Sequence, residues 1–416
     1  MTRRGVEYGC AIVVIGLLAG AAGAATTLLL HAVEHLTYRY DFGTLLTGVE
    51  GSSPIRRALG PMVGAALAGC GWWLLRRRHE VPALSAVITE PGPAPRRVLS
   101  IDAGLQVLLV GSGASLGREG APRQLAAVWA DIGTARLSLT PRDREILLAC
   151  AAGAGLAAVY SVPLGGAVFA ARILLGTWHP RAVGTALITS SLAVTVAAPV
   201  THLQHPLVWP DDRLSPLFAV LALALAPLAA AVGLAFDRLT TAARPAVAIH
   251  TPLMIPAIAG AGLLTGVCSI WLPELPGNGR SILQVSMASG MTLTAAAAIL
   301  ILKPLLSALF LRAGAVGGLL TPALATGAAA GTVAALALNQ WAGTNLDIPA
   351  VSLTCAAGVL AVTQRSPLFA ALFVWELAWP PWWLLAVFAL CTWCAAGIAR
   401  LGRATPVPRR AATEEV

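Results

Sequence analysis

The chain has 416 residues, of which 57% are hydrophobic and 11% charged, less than half the share of about 25% that soluble globular domains carry. So little charge excludes a large water-soluble fold. The +9 balance does not point to nucleic acid as a partner either, because the basic residues sit beside apolar runs rather than in one patch.

Residues 10–33 form a charge-free run longer than the about 7–15 residues of a signal-peptide core, so a first membrane helix is expected there rather than a cleaved leader. Further charge-free runs cover 182–202, 214–236, 281–302, 313–346 and 377–399, each reaching the ~20 residues that cross a bilayer. The glycines and prolines within them suit membrane helices, whose neighbours satisfy the freed backbone groups. The chain is therefore expected to be a polytopic, all-α membrane protein. Arg3-Arg4, Arg56-Arg57, Arg76 to Arg78, Arg96-Arg97, Arg400 with Arg403, and Arg409-Arg410 flank the spans. The positive-inside rule places such clusters at cytoplasmic ends, which predicts a multi-pass plasma-membrane protein with both termini in the cytoplasm. With a tail of only 404–416, no soluble regulatory domain is expected.

The chain also resembles itself. Cys150-Ala-Ala-Gly, leading to Pro163-Leu164, returns as Cys355-Ala-Ala-Gly, leading to Pro367-Leu368, a shift of 204–205 residues. Nearly the same shift brings Gly117-Arg-Glu-Gly-Ala-Pro122 to Gly317-Gly-Leu-Leu-Thr-Pro322. Two motifs in one order predict a duplication, with repeats over 1–210 and 211–403. Duplicated transporter halves carry the substrate site where broken helices meet near the midplane. Residues 104–117 are apolar but too short to span, and a new helical stretch follows Ala121-Pro122; Gly314, Gly317 and Gly318 precede a second fresh start at Thr321-Pro322. Each half thus feeds a glycine loop into a helix N-terminus, whose free N–H groups and partial positive charge attract an anion.

The ionisable residues read as lying inside the apolar segments are Arg118, Glu119, Arg172, Lys303, Arg312, Arg365 and Glu376. Each costs on the order of 2.5–3.5 kcal/mol at a helix centre, so function is the default reading. Glu119 lies in the glycine loop itself. Ionised, its carboxylate can occupy an anion's place; protonated, it can leave. The structural alternative is a pair with Arg118 or Arg123. The cysteines, including Cys391-x-x-Cys394, read as inert helix residues, and His31, His35, His179, His202 and His205 show no ligand spacing. Neither an enzyme nor a cofactor is expected.

These motifs resemble those of the CLC chloride channels and transporters. Gly117-Arg118-Glu119-Gly120-Ala121-Pro122 is similar to the family's Gly-Lys/Arg-Glu-Gly-Pro, and Gly317-Gly318-Leu319-Leu320-Thr321-Pro322 to its Gly-Gly-x-Phe-x-Pro loop. Ser161-Val162-Pro163-Leu164 and Arg365-Ser366-Pro367-Leu368 resemble the stretches that follow each. The resemblance covers roughly 10–400. It implies two inverted halves, a homodimer with one pathway per subunit, and halide and proton as the transported ions. It also implies Glu119 as gate and proton group, with anion contacts from Gly117, Arg118, Gly120, Gly317, Gly318, Leu319 and Leu320. Several family features are missing. The serine loop should fall near His79-Glu80-Val81-Pro82 and keeps only its proline; the internal proton acid aligns with Ile173 beside Arg172; the pore tyrosine would fall near Val407; and Ala121 separates Gly120 from the motif proline. Chloride transport is the leading expectation, fluoride/proton antiport the alternative, and an organic-solute transporter a distant third.

Overall fold

The structure is a computed structural model that describes residues 3–90, 92, 94–201, 217–246 and 249–404. Its first half runs α1 (Arg3–Tyr38), α2 (Leu45–Gly51), α3 (Pro54–Arg76), α4 (Leu84–Thr89), α5 (Arg96–Gly111), α6 (Gly120–Gly133), α7 (Pro141–Tyr160), α8 (Pro163–Val168) and α9 (Pro180–Thr201). A π-helical turn over Phe169–Leu174 prolongs α8. The second half runs α10 (Leu217–Ala243), α11 (Met254–Cys268), α12 (Arg280–Met287), α13 (Leu293–Arg312), α14 (Leu320–Trp341), α15 (Ile348–Gln364), α16 (Pro367–Ala378) and α17 (Leu384–Ala404).

Seven of these helices are long and apolar enough to cross a membrane: α1, α3, α9, α10, α13, α14 and α17. The sequence runs missed α3 because its charge-free stretch between Arg57 and Arg76 is too short. Other runs merged separate elements. The run 281–302 breaks at Ser289, which has positive φ, and α13 restarts where the Thr292 hydroxyl accepts from the Ala295 N–H at 3.2 Å. The run 377–399 breaks at Trp379, also of positive φ, before Pro380-Pro381.

The two halves correspond helix for helix, α2 excepted. In the first, α1 packs on α6, α7 and α9; in the second, α10 packs on α14, α15 and α17. The turns match as well. Gly113 (φ 110°) and Gly314 (φ 89°) follow α5 and α13, each in a left-handed conformation that favours glycine. Ser161 (φ 57°) and Arg365 (φ 53°) end α7 and α15, each two residues before a proline. The halves are inverted. The Gly113 turn lies against Tyr38 and Pro61, near the start of α3, whereas the Gly314 carbonyl accepts from Arg76 Nη1 at 3.0 Å, at the other end of α3. The expected boundary at 210/211 and the tail from 405 onward lie outside the described residues, as do His202, His205 and Arg409-Arg410.

The basic clusters do not share one side. Arg56 and Arg57 begin α3 and Arg76 ends it, so the first pair lies at the opposite end of a membrane-crossing helix from Arg76 to Arg78. Their work is local. Arg56 donates from Nε to the Thr37 carbonyl at 2.6 Å and from Nη2 to that of Leu36 at 2.7 Å, while Arg57 donates to Ser52, Ser269 and Glu50 carbonyls. These guanidinium groups satisfy carbonyls at helix ends.

Small residues bring the helices together, as membrane interfaces require. Gly20 of α1 faces α9 so closely that a Cβ there would lie 2.6 Å from Val196 Cβ and 2.7 Å from the Ala193 carbonyl oxygen. Gly20→Leu is therefore expected to destabilise by about 1–3 kcal/mol or more, seen as a lower thermal midpoint in detergent. A midpoint equal to wild type contradicts this packing. The loop between α11 and α12 carries the half-exposed Glu274, whose Oε2 is buried without a hydrogen-bond partner. Burial first, and the charge of Glu50 second, raise its pKa. Stability from such a group is present below its unfolded pKa and is lost as pH rises through the folded value. Glu274→Gln should raise the midpoint at pH 8 by on the order of 1 °C and not at pH 4; a shift of the same size at both pH values would count against it.

Candidate functional site

The two glycine loops meet. Gly117 N–H donates to the Gly318 carbonyl at 2.7 Å and Gly318 N–H to that of Gly117 at 3.0 Å, an antiparallel bridge between the halves. Around it the first loop is held by Ser307, whose hydroxyl donates to the Ser115 carbonyl at 2.6 Å, and by Gly277, whose N–H donates to that of Gly113 at 3.0 Å. Residues 111–119 are buried throughout. An irregular buried backbone of this kind is stable only because its polar groups are paired across the seam.

Glu119 closes the first loop and is fully buried, at 0% exposure. It occupies the N-cap position of α6 but makes no side-chain cap there. Its side chain instead crosses to the second half. Oε1 accepts the Leu320 N–H at 2.6 Å, and Oε2 accepts the Thr321 hydroxyl at 3.1 Å and the Tyr160 hydroxyl at 3.3 Å. Leu320 is the first residue of α14, so the carboxylate of one half fills the anion-attracting helix end of the other. Gly117 and Gly318 make this approach possible: a Cβ at either would collide with the carboxylate. Leu319 is the N-cap of α14, the counterpart of Glu119 in α6.

The remaining expected site residues divide. Gly120 backs onto Gln106, whose Nε2 donates to Asp102 Oδ2 at 2.8 Å in a buried network with Gln124 and Trp72. Gly317 faces Leu116. Arg118 donates from Nη2 to the Val159 carbonyl at 3.1 Å and lies 5.0 Å from the centroid of the Tyr160 ring. Arg123 donates from Nε to the Glu119 backbone carbonyl at 2.8 Å, so its bond is to the main chain and not to the carboxylate. Tyr160 and Thr321 are the residues sequence reading missed. Thr321 stood inside a quoted motif, and Tyr160 directly precedes the Ser161-Val162-Pro163 break.

Of the other charges expected inside the apolar segments, Arg172, Arg312 and Arg365 are exposed, while Lys303 and Glu376 are buried and hold backbone groups. Lys303 Nζ donates to the Leu275 and Gly277 carbonyls at 3.0 and 2.7 Å, tying down the loop before α12. Glu376 of α16 accepts from the Leu164 and Gly165 N–H groups at 2.8 and 2.7 Å, across to the start of α8. His79 and Glu80 are exposed, Ile173 lies in the π-helical turn, and Val407 is outside the described residues.

Comparisons with known proteins agree with this geometry. The family described as voltage gated chloride channel matches residues 64–400. A voltage-gated ClC-type chloride channel ClcB of Escherichia coli (strain HS) is 29% identical over 374 residues, which cover 88% of this chain and 89% of that one. The crystal structure of a slow cyanobacterial Cl-/H+ antiporter superposes with a TM-score of 0.78 at 17% identity, covering 96% of each chain. That of a CLC-type fluoride/proton antiporter gives 0.75 at 20% identity, covering 96% of this chain and 97% of its own. With most of its length matched by one family, with seven helices able to cross a membrane and with two inverted halves joined at their glycine loops, the chain is a multi-pass membrane protein that belongs to the voltage-gated chloride channel, or CLC, family.

Proposed function

We propose that this protein carries small inorganic anions, chloride foremost, along a pathway that Glu119 opens and closes. One observation carries the reading: the Glu119 carboxylate, wholly buried, rests on the Leu320 N–H at the start of α14, where a halide would find the same donor. Ionised, the side chain competes with the anion for that place. Protonated, it loses the charge that holds it there. Gly117, Gly318 and Leu320 border the contested position, with Thr321 and Tyr160 adding hydroxyls to it.

The basic ends at Arg76 to Arg78 and Arg96-Arg97 support a plasma-membrane orientation with both termini in the cytoplasm and the Tyr38 end of α1 outside. A homodimer with one pathway per subunit fits the family, as do repeats over 1–210 and 211–403 with a tail from 404. Fluoride/proton antiport is the second reading, favoured by the exposed His79-Glu80 loop that offers no serine and by Ile173 in place of an internal acid. Without that acid, proton movement should run through Glu119 alone. Efflux of chloride and of fluoride from proteoliposomes, with external pH recorded, decides among these. Anion-driven proton uptake abolished by changing Glu376 but not Glu119 would defeat the assignment of the acid.

A further inference from the structure

A cavity of about 330 Å³ lies where α1, the glycine loop of Arg118 and the start of α12 come together. Its lining is unusual for a membrane protein. Arg118 enters from the first half and Arg280 from the second; His31, Glu34 and His35 come from the last turns of α1, and Tyr40 and Asp41 from the segment that follows. Glu34 is only 8% exposed, and the Tyr40 hydroxyl donates to its Oε2 at 3.3 Å. Tyr40 in turn stacks on His35, with ring centroids 4.3 Å apart. Tyr38 is also buried at this end of α1.

Two like charges in one part-buried cavity repel, and Arg118 and Arg280 line this one from opposite halves. Glu34 lines the same cavity, and its carboxylate, when ionised, carries the opposite charge. Placing guanidinium groups in a cleft of low dielectric requires such compensation. A monovalent anion supplies the same compensation as an ionised Glu34. The two together would repel each other, whereas an anion beside a neutral Glu34 would not. The cavity has room for a halide with several waters, so the ion need not shed its hydration shell to enter. Through Arg118 it adjoins the Glu119 site. Arg118 directly precedes Glu119 and stacks against Tyr160, whose hydroxyl reaches the Glu119 carboxylate.

We propose that this cavity is a loading site for a small monovalent inorganic anion, held by Arg118 and Arg280, and that Glu34 takes up a proton as the anion arrives. His31, His35, Tyr40 and Asp41 are the other titratable groups that line it, and buried Tyr38 lies one turn from Glu34 on α1. Linkage makes the effect reciprocal: acid favours anion binding, and the anion favours protonated Glu34. The inference rests on the reading of this chain as an anion carrier, but not on Glu119 being its gate.

The test is chloride binding to the purified full-length protein by calorimetry in buffers of different ionisation enthalpy, which counts protons taken up per anion bound. It is done in Glu119→Gln, so that the gate carboxylate contributes none. Chloride binding is expected to draw protons from the buffer in Glu119→Gln. The uptake should vanish when Glu34→Gln is added and return with Glu34→Asp. Arg280→Gln should weaken chloride binding about tenfold, with part of the loss recovered by Arg280→Lys. Proton uptake that survives Glu34→Gln, or a chloride affinity indifferent to Arg280→Gln, overturns the loading site. Failure of the gate appears separately, as wild-type flux in the Glu119→Gln single variant.

Discussion

Replacing Glu119 by glutamine should remove the pH response of anion flux and leave the pathway leaky at neutral and alkaline pH. The carboxylate is held by the Leu320 N–H, the Thr321 hydroxyl and the Tyr160 hydroxyl, all three of them donors. An ionised acceptor matches them; a carboxamide brings one oxygen, no charge and two N–H groups that face donors already in place. A hydrogen bond to a charged group contributes about 1.5–3 kcal/mol, so losing the charge shifts the balance between seated and released side chain by roughly ten- to a hundredfold. Flux from proteoliposomes at pH 7.5 should accordingly rise at least several-fold and no longer change between pH 4.5 and 7.5. Wild-type flux with a wild-type pH profile would remove Glu119 from the pathway.

The second large effect is expected at a residue that touches Glu119 without being titratable. Gly318 does not have positive φ, so its backbone accepts alanine without strain. The added Cβ nevertheless points into the Glu119 carboxylate. Either the loop moves, breaking the paired bonds to Gly117, or the glutamate side chain leaves its seat. The second keeps both halves' loop bonds intact, and a carboxylate that leaves its seat can take up a proton or meet water, which buried backbone groups cannot. Gly318→Ala should therefore resemble Glu119→Gln in flux at neutral pH, and should add little in a Glu119→Ala background, where the collision is gone. Equal effects of Gly318→Ala with and without Glu119 would show a general loop defect. Gly317→Ala is the control, since its Cβ meets Leu116 and not the carboxylate; it should cost stability and leave the pH response in place.

Much of this was legible before folding. Composition announces a membrane chain, and the paired Cys-Ala-Ala-Gly and Pro-Leu stretches mark the duplication. The matching turns at Ser161 and Arg365 bear it out. The inserted Ala121 proved harmless, since α6 starts at Gly120 and carries Pro122 in its first turn. The basic clusters were less faithful. Arg56 and Arg57 read like Arg76 to Arg78 in one dimension, yet they cap helix ends at the opposite end of α3. Charge near an apolar run says nothing about which carbonyls that charge will meet.

The membrane class, the repeat and Glu119 as the costly acid in a glycine loop can all be read from the chain, because each is a matter of composition or local spacing. Tertiary structure alone decided what that acid touches. Leu320 and Thr321 lie about two hundred positions away, on a helix that enters from the other side, and Tyr160 ends a third helix. Arg280 and Glu34, in opposite halves, become neighbours only when the inverted repeats close on each other. Inversion is a three-dimensional relation, and it is what turns two weak glycine motifs into one site.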